Sequence, residues 1–232
     1  NTSNPKPWGT AIKEAASAIY TIDSTKLIFI EGTAQGELKA NWGNGFATDD
    51  ATVQQNISNP KNFFTDIAFQ PYLNQIVVSP HIYGPDGTNG QGPDLSDPDV
   101  AFQAWSRNVG YLHNNFLKIN DTSLSGFCLD CGVCHVYPIA LGEFGGKFQP
   151  NDPNTNKDVA TQINIANFLK RLGQDHPAQP SWFYWDWNPN SGNTGGILKD
   201  DWKTVDCVKV NYLVKYLALP ANPAVCPPPT IA

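Results

Sequence analysis

The sequence lacks an excess of positive charge. Its 232 residues carry 15 Lys and Arg against 21 Asp and Glu, a formal net charge of -6. A protein that binds nucleic acid needs a basic patch for the phosphate backbone, so this balance argues against a nucleic-acid partner. No apolar run reaches the roughly 18 residues that a membrane-spanning helix requires. We therefore predict neutral or small partners and no membrane.

Cysteine is scarce and odd in number, with five residues in the chain: Cys128, Cys131, Cys134, Cys207 and Cys226. The first three are separated by two residues each, a spacing that also fits part of a zinc or redox site beside His135. No second pair of metal ligands follows at a suitable distance. This favours disulfides formed in an oxidising compartment over a metal, with one cysteine left over and the pairing open.

The sequence contains motifs for glycosylation. Three Asn-x-Ser/Thr triplets make Asn1, Asn56 and Asn120 candidate glycosylation sites. The first residues show no signal-peptide pattern, as expected of a mature or processed chain. Together with the cysteines, these triplets predict a secreted, extracellular protein.

The chain has enough apolar sequence for one large domain or part of one, at 41% hydrophobic and 12% aromatic residues. Its pattern predicts four strands, each followed by a helix, with one further helix in front. The strands are expected at 27–32, 75–84, 137–142 and 182–187, and the helices at 11–22, 62–73, 99–117, 157–172 and 205–217. Such alternation indicates an α/β fold with a parallel sheet and right-handed crossovers.

Each predicted strand ends in polar or aromatic side chains, namely Glu31, His81 with Tyr83, Glu143, and the segment 185–188. The carboxyl ends of parallel strands share one edge, where barrel enzymes keep their catalytic groups. Glu143 stands out because an apolar run precedes it and glycines follow it. We expect it in a turn that ends the third strand.

Several motifs follow one another along the chain. They are Ile30-Glu31-Gly32, Asn41-Trp42-Gly43, Ser79-Pro80-His81-Ile-Tyr83-Gly84, Gly142-Glu143-Phe-Gly145, and Trp187-Asn-Pro-Asn-Ser-Gly-Asn-Thr-Gly-Gly-Ile-Leu198 followed by Asp201-Trp202. In order and spacing the sequence resembles the secreted endo-β-1,4-glucanases, or cellulases, of glycoside hydrolase family 5. The resemblance implies the C-terminal half of a TIM (β/α)8 barrel, about four strand-helix units, over 1–219. A Pro-rich tail follows at 220–232.

The resemblance also implies roles for the strand-end residues. Glu143 would be the catalytic nucleophile of a retaining glycosidase, and His81 and Tyr83 would hydrogen-bond the substrate or Glu143. The alternative for His81 and Tyr83 is a satisfied polar pair at a strand end. Glu31 is expected to be a structural hydrogen-bonding residue rather than a catalyst.

Three further residues are implied to bind the substrate. Trp185 would stack on a glucose ring, because the apolar face of a pyranose packs well on an indole. Trp42 would line a neighbouring subsite, and Asn188 would also contact the sugar. The alternative for Trp185 is an aromatic residue of the core.

The sequence departs from the family at its start. The family's acid/base glutamate lies in an Asn-Glu-Pro motif at the end of the fourth barrel strand, and residues 1–5 contain no glutamate. Four strands of a barrel would also have two unpaired edges and an open inner face. We therefore expect a complementary partner, either an N-terminal barrel half or a second copy of the chain.

Two functions follow. The first is a retaining hydrolase of β-1,4-glucan or its oligosaccharides, with Glu143 in this chain and the acid/base in the other half. It needs no metal or cofactor, because carboxyl groups and water carry out both steps. The chain alone is expected to turn over poorly, because general acid catalysis is worth about 10² to 10⁴ in rate. The alternative is a noncatalytic extracellular glycoprotein, derived from a cellulase, that binds glycans or assembles into a matrix.

Overall fold

The structure is a computed structural model and describes residues 7–32, 46, 60–88, 93–113, 135–148, 153–173 and 181–227. Strand β1 (Ile28–Ile30) pairs in parallel with β2 (Ile76–Val78), and β3 (Ala140–Phe144) pairs in parallel with β4 (Ser181–Tyr184). Single parallel bridges at Val78–Ile139 and His81–Glu143 join β2 to β3. The four strands therefore lie side by side in chain order.

Helices connect these strands. Helix α1 (Trp8–Ile22) precedes β1, and α2 (Pro60–Ile67) precedes β2. Helices α3 (Pro85–Thr88) and α4 (Pro98–Asn108) lie between β2 and β3. Helix α5 (Pro153–Leu172) leads to β4, and α6 (Cys207–Leu217) follows it. Parallel neighbours need such crossovers, so the predicted α/β order of four strand-helix units is confirmed.

The sheet has one covered and one open face. Side chains that point towards the helices form the core, and they include Ile28, Ile30, Leu141 and Phe144. The opposite face of the two outer strands is not covered by the described residues, because Phe29 on β1 is 47% exposed and Phe183 on β4 is 55% exposed. These two rings meet at 6.0 Å between centroids. Within the described residues the strands form no closed barrel.

Several predicted boundaries were wrong. The second strand ends at Val78 rather than Gly84, the fourth at Tyr184 rather than Trp187, and the helix expected over 62–73 ends at Ile67. The third strand does not end at Gly142 but continues to Phe144, because Phe144 is fully buried and pairs with Tyr184 of β4. Glu143 therefore lies within the strand, not in the turn after it. The helix expected over 99–117 ends at Asn108, and a 3-10 turn follows at Gly110–Leu112.

Helix α4 begins one residue earlier than expected because of its cap. The Asp97 carboxylate accepts hydrogen bonds from the amides of Asp99 and Val100 at 2.9 and 3.0 Å, and Pro98 occupies the first helical position. An aspartate cap followed by proline is a strong start signal, because proline lacks only an amide that has no partner within the helix. This cap fixes where the β2-to-β3 connection turns back towards the sheet.

A disulfide joins Cys207, the first residue of α6, to Cys226 in the segment that follows the helix. The other three cysteines, at 128, 131 and 134, lie outside the described residues. Cys226 is buried, so the disulfide holds residues 221–226 against α6. The chain beyond position 220 is therefore attached to the fold as far as the structure describes it.

Removing this disulfide is expected to lower the free energy of unfolding by about 3 kcal/mol, the usual value for a closed loop of this size. The bridged cysteines are 19 residues apart. Replacing both Cys207 and Cys226 with alanine and measuring urea unfolding would test this. An unchanged unfolding midpoint would contradict it.

Candidate active site

Glu143 is held by its neighbour Tyr83. The Tyr83 hydroxyl donates a hydrogen bond of 2.6 Å to Oε2 of Glu143. Tyr83 is only 4% exposed, and burial, followed by the hydrogen bond to Glu143, raises its pKa far above the usual value. Tyr83 therefore remains a neutral donor at any ordinary pH and fixes the orientation of the Glu143 carboxylate.

His81 lies between two carboxylates. Its Nδ1 is 3.2 Å from Oε2 of Glu143, near enough for attraction but outside hydrogen-bond geometry, and its Nε2 is 3.2 Å from Oε1 of Glu31. A neutral imidazole carries one N–H, whereas an imidazolium donates from both nitrogens. His81 can therefore connect Glu31 to Glu143, while Tyr83 makes the direct hydrogen bond.

Backbone pairing brings these side chains together. The amide of Ile82 donates to the carbonyl of Glu143 at 2.9 Å, and the amide of Gly142 donates to the carbonyl of Pro80, also at 2.9 Å. A Cβ at position 142 would lie 2.5 Å from Ser79 Oγ and 2.9 Å from the His81 ring. Only glycine leaves this room, so Gly142 allows β2 and β3 to place His81 beside Glu143.

Glu143, Tyr83 and Trp185 open into one cavity of about 250 Å³, which is also lined by Gly87, Ser191, Asn193 and Thr194. The structure thus brings together Glu143, Tyr83 and Trp185, with His81 in contact with Glu143. Trp185 is 41% exposed, so it is not a core aromatic residue, and its indole is accessible to a ligand. Asn188 is exposed but does not line the cavity.

Several predicted positions lie outside the described residues. They are Trp42, the glycosylation candidates Asn1, Asn56 and Asn120, and the cysteines at 128, 131 and 134. Their assignments stay predictions.

Three residues that line the cavity were not predicted from the sequence as site residues: Ser191, Asn193 and Thr194. They belong to the glycine-rich segment that follows Trp187, and the ammonium of Lys209 holds this segment in place. Lys209 is 2% exposed, and its Nζ donates to the carbonyls of Thr194 and Gly196 at 2.8 and 3.0 Å. A contact across more than ten residues between a loop and a helix leaves no periodic signal in the sequence.

A larger cavity of about 520 Å³ lies between α5, α6 and residues 221–226. Its lining is mainly apolar, with Phe148, Ile163 and Tyr216 among its members, and it contains no carboxylate. The smaller cavity is lined by the Glu143 carboxylate, which can attack or transfer a proton, and is therefore the better candidate active site.

The described residues contain no group of three or more His, Cys, Asp or Glu side chains placed to hold a metal ion. They also contain no helix long and apolar enough to cross a membrane.

Related sequences are endoglucanases. The chain is 27% identical over 207 residues to the major extracellular endoglucanase of Xanthomonas campestris, a match that covers 89% of this chain and 35% of that protein. It is 29% identical over 206 residues to an endoglucanase of Paenibacillus polymyxa, covering 85% of this chain and 40% of that protein. No protein-family model matches the chain.

Related structures are cellulase domains. The catalytic domain of the Xanthomonas campestris endoglucanase aligns with 94% of this chain at a TM-score of 0.60 and 26% identity. The Pyrococcus horikoshii endocellulase, solved in complex with cellotetraose, aligns with 94% at a TM-score of 0.58 and 27% identity. The chain spans 50 to 53% of these two structures. The predicted resemblance to cellulases is confirmed, and it extends over about half of each of these two structures.

Proposed function

We propose that this chain supplies the nucleophile of a retaining glycoside hydrolase that cleaves β-1,4-glucan. The observation that carries the proposal is Glu143, held by Tyr83 at a strand end in a cavity that also contains the accessible indole of Trp185. This is the arrangement that a glycosyl-enzyme mechanism needs, namely an oriented carboxylate beside a surface for a sugar ring. Kinship with endoglucanases supports β-glucan as the substrate class.

Tyr83 and His81 both approach Oε2, so we assign the attack to Oε1 of Glu143. In the first step Oε1 forms a bond to the anomeric carbon while the bond from that carbon to the leaving oxygen breaks. The electron pair goes to the leaving oxygen, which takes a proton from the acid/base carboxyl group. Water then attacks the same carbon, gives its proton to that base, and releases Glu143.

We assign the acid/base to a complementary barrel half. A retaining mechanism places this second carboxyl group about 5 to 5.5 Å from the nucleophile. The exposed rings of Phe29 and Phe183, on the open face of the outer strands, support a partner that covers this face. Native mass spectrometry of the chain as isolated would test this proposal. A well-folded monomer without a partner at low concentration would contradict it.

Secretion is also proposed. The Cys207–Cys226 disulfide supports it, because such bonds persist in oxidising compartments. Intact mass before and after enzymatic deglycosylation would show whether Asn1, Asn56 or Asn120 carries a glycan. A chain without glycan would remove that part of the proposal.

Covalent trapping on the isolated chain tests the nucleophile. The probe is 2,4-dinitrophenyl 2-deoxy-2-fluoro-β-cellobioside, whose leaving group departs as a phenolate and needs no acid. Fluorine at C2 slows both steps, so the glycosyl-enzyme accumulates. We expect the intact mass to rise by one fluorocellobiosyl group and peptide mapping to place it on Glu143. If the wild-type chain stays unlabelled, or if another residue is labelled, the proposal fails and the noncatalytic function becomes the better one.

Replacing Tyr83 with phenylalanine is expected to slow this trapping by about 10- to 100-fold. The substitution removes the 2.6 Å hydrogen bond to Glu143, and a hydrogen bond to a charged group is worth about 1.5–3 kcal/mol. The rate of mass gain measures the effect. As a control, Tyr20→Phe removes a hydroxyl from α1 and should not change the rate.

Replacing Trp185 with alanine is expected to weaken cellotetraose binding by about tenfold, through loss of the stacking surface. Isothermal titration calorimetry measures the affinity. Trp202→Ala is the matched control, since Trp202 is also exposed but does not line the cavity. Equal losses in both variants would place the sugar elsewhere.

A further inference from the structure

Asp158 is a fully buried carboxyl group in α5, packed against the segments that follow Tyr83 and Glu143. Its two carboxyl oxygens pack against different backbone segments. A Cβ at Gly84 would collide with Oδ1 of Asp158, and a Cβ at Gly146 would collide with Oδ2. Each oxygen thus occupies space that only glycine leaves open, so the one carboxyl group contacts both segments.

These two segments carry the two partners of one hydrogen bond. Gly84 follows Tyr83 directly, and Gly146 follows Glu143 by three residues. The Tyr83 hydroxyl and the Glu143 carboxylate meet at 2.6 Å, a distance that a small shift of either segment would lengthen. Asp158 packs between these two segments and thus lies where their spacing is set.

Charged and titratable groups surround Asp158 from every packed element: Asp86 of α3, Lys147 after β3, Tyr184 of β4, and Lys209 and Tyr212 of α6. Burial, and then the nearby Asp86 carboxyl, raise the pKa of Asp158 to about 8, against the opposing effect of Lys209 and Lys147. Burial lowers the pKa of Lys209 and raises that of Tyr184. Asp158 is therefore neutral in mild acid and becomes charged in mild base.

We infer that Asp158 is a positioning residue, which holds the segments after Tyr83 and Glu143 at the separation that their hydrogen bond requires. The inference rests on the proposed function only for its effect on catalysis, because the carboxylate that Tyr83 orients is the proposed nucleophile. The neutral carboxyl group fits between the two glycines. Once ionised, it repels Asp86 and draws water into the packed space, which loosens both segments.

Hydrogen exchange of the full chain tests this without a sugar. Wild type, Asp158→Asn and Asp158→Ala are compared at pH 6 and pH 9, after correction for intrinsic exchange, in peptides that cover 79–88 and 139–148. Asparagine keeps the size of the carboxyl group and never ionises. Asp94→Asn is the control, because it removes a carboxylate on the protein surface. Asp94 pairs at 2.6 Å with Lys157, the residue before Asp158.

In wild type we expect protection of both peptides to fall by about tenfold from pH 6 to pH 9, the loss of about one buried hydrogen bond. Asp158→Asn should keep its protection at both pH values, and Asp94→Asn should behave as wild type. Asp158→Ala should lose protection at both. If that variant does not fold, the comparison of wild type with Asp158→Asn decides.

The same pH-dependent loss in Asp158→Asn as in wild type would overturn the inference, as would changes confined to α5. Trapping of wild type with the fluorocellobioside separates this result from the proposed function. If exchange follows the expectation but Glu143 is not labelled, the positioning role stands and the proposed function fails. If Glu143 is labelled but hydrogen exchange does not depend on Asp158, the proposed function stands and the positioning role fails.

Discussion

Replacing Glu143 with alanine is expected to slow hydrolysis of 2,4-dinitrophenyl β-cellobioside by on the order of 10⁴-fold, the scale seen when one member of a catalytic group is removed. This substrate suits the chain because its leaving group needs no proton from an acid. Glu143 is the carboxylate that Tyr83 orients, so its loss removes the proposed nucleophile. Release of dinitrophenolate is followed by its absorbance.

Azide distinguishes a lost nucleophile from a damaged fold. The alanine variant leaves space on one side of the sugar, where azide attacks the anomeric carbon and displaces dinitrophenolate in a single step. The product is then α-cellobiosyl azide, with inverted configuration. The matched control is Glu14→Gln on α1, which should retain the wild-type rate. A Glu143→Ala variant with undiminished activity would exclude Glu143 as the nucleophile.

The second large effect concerns stability and pH. The pKa of Asp158 is about 8 in the folded chain, well above that of an exposed aspartate, near 4. Between about pH 4 and pH 8 the folded state therefore holds a proton that the unfolded state has lost. The stabilisation from Asp158 is fully present below about pH 4 and is lost as pH rises to about 8, at up to about 1.4 kcal/mol per pH unit.

Urea unfolding at fixed pH values from 4 to 9 measures this loss as the difference between wild type and Asp158→Asn. This difference in the free energy of unfolding should change between about pH 4 and about pH 8 and stay constant above about pH 8. Asp94 gives a contrast of opposite sign, since hydrogen bonds from Lys157 and Ser96 lower its pKa to about 2. The stabilisation of the folded chain by Asp94 is lost only as the pH falls below about 4. Parallel curves for wild type and Asp158→Asn would show that Asp158 is not protonated in the folded chain.

The sequence predicted the meeting of His81, Tyr83 and Glu143 because a parallel sheet has few alternatives. Each residue lies at or just beyond the carboxyl end of an apolar run, and such ends share one edge. The sequence did not predict that β3 includes Glu143, because that depends on the pairing of Phe144 with Tyr184. Pairing across many residues leaves no local signal.

Asp158 was equally hidden in the sequence. It follows Lys157 in a polar helix turn, a context typical of exposed residues. Its burial comes from the close approach of α5 to Gly84 and Gly146, neither of which belongs to that helix. The glycines after Glu143 suggested a turn, yet at Gly146, as at Gly84, the missing side chain makes room for a carboxyl group.

The contact between Phe29 and Phe183 connects the tendency of the chain to aggregate with its pairing to a matching half. Both rings remain partly in water, and full burial of such a side chain is worth about 1.5–3 kcal/mol. The same apolar surface can attract a matching half or a mismatched copy of the chain. Among the described residues, the two outer strands beside it each pair on one side only. Aggregation that rises steeply with concentration and ceases when a matching half is added is thus the behaviour expected of this surface.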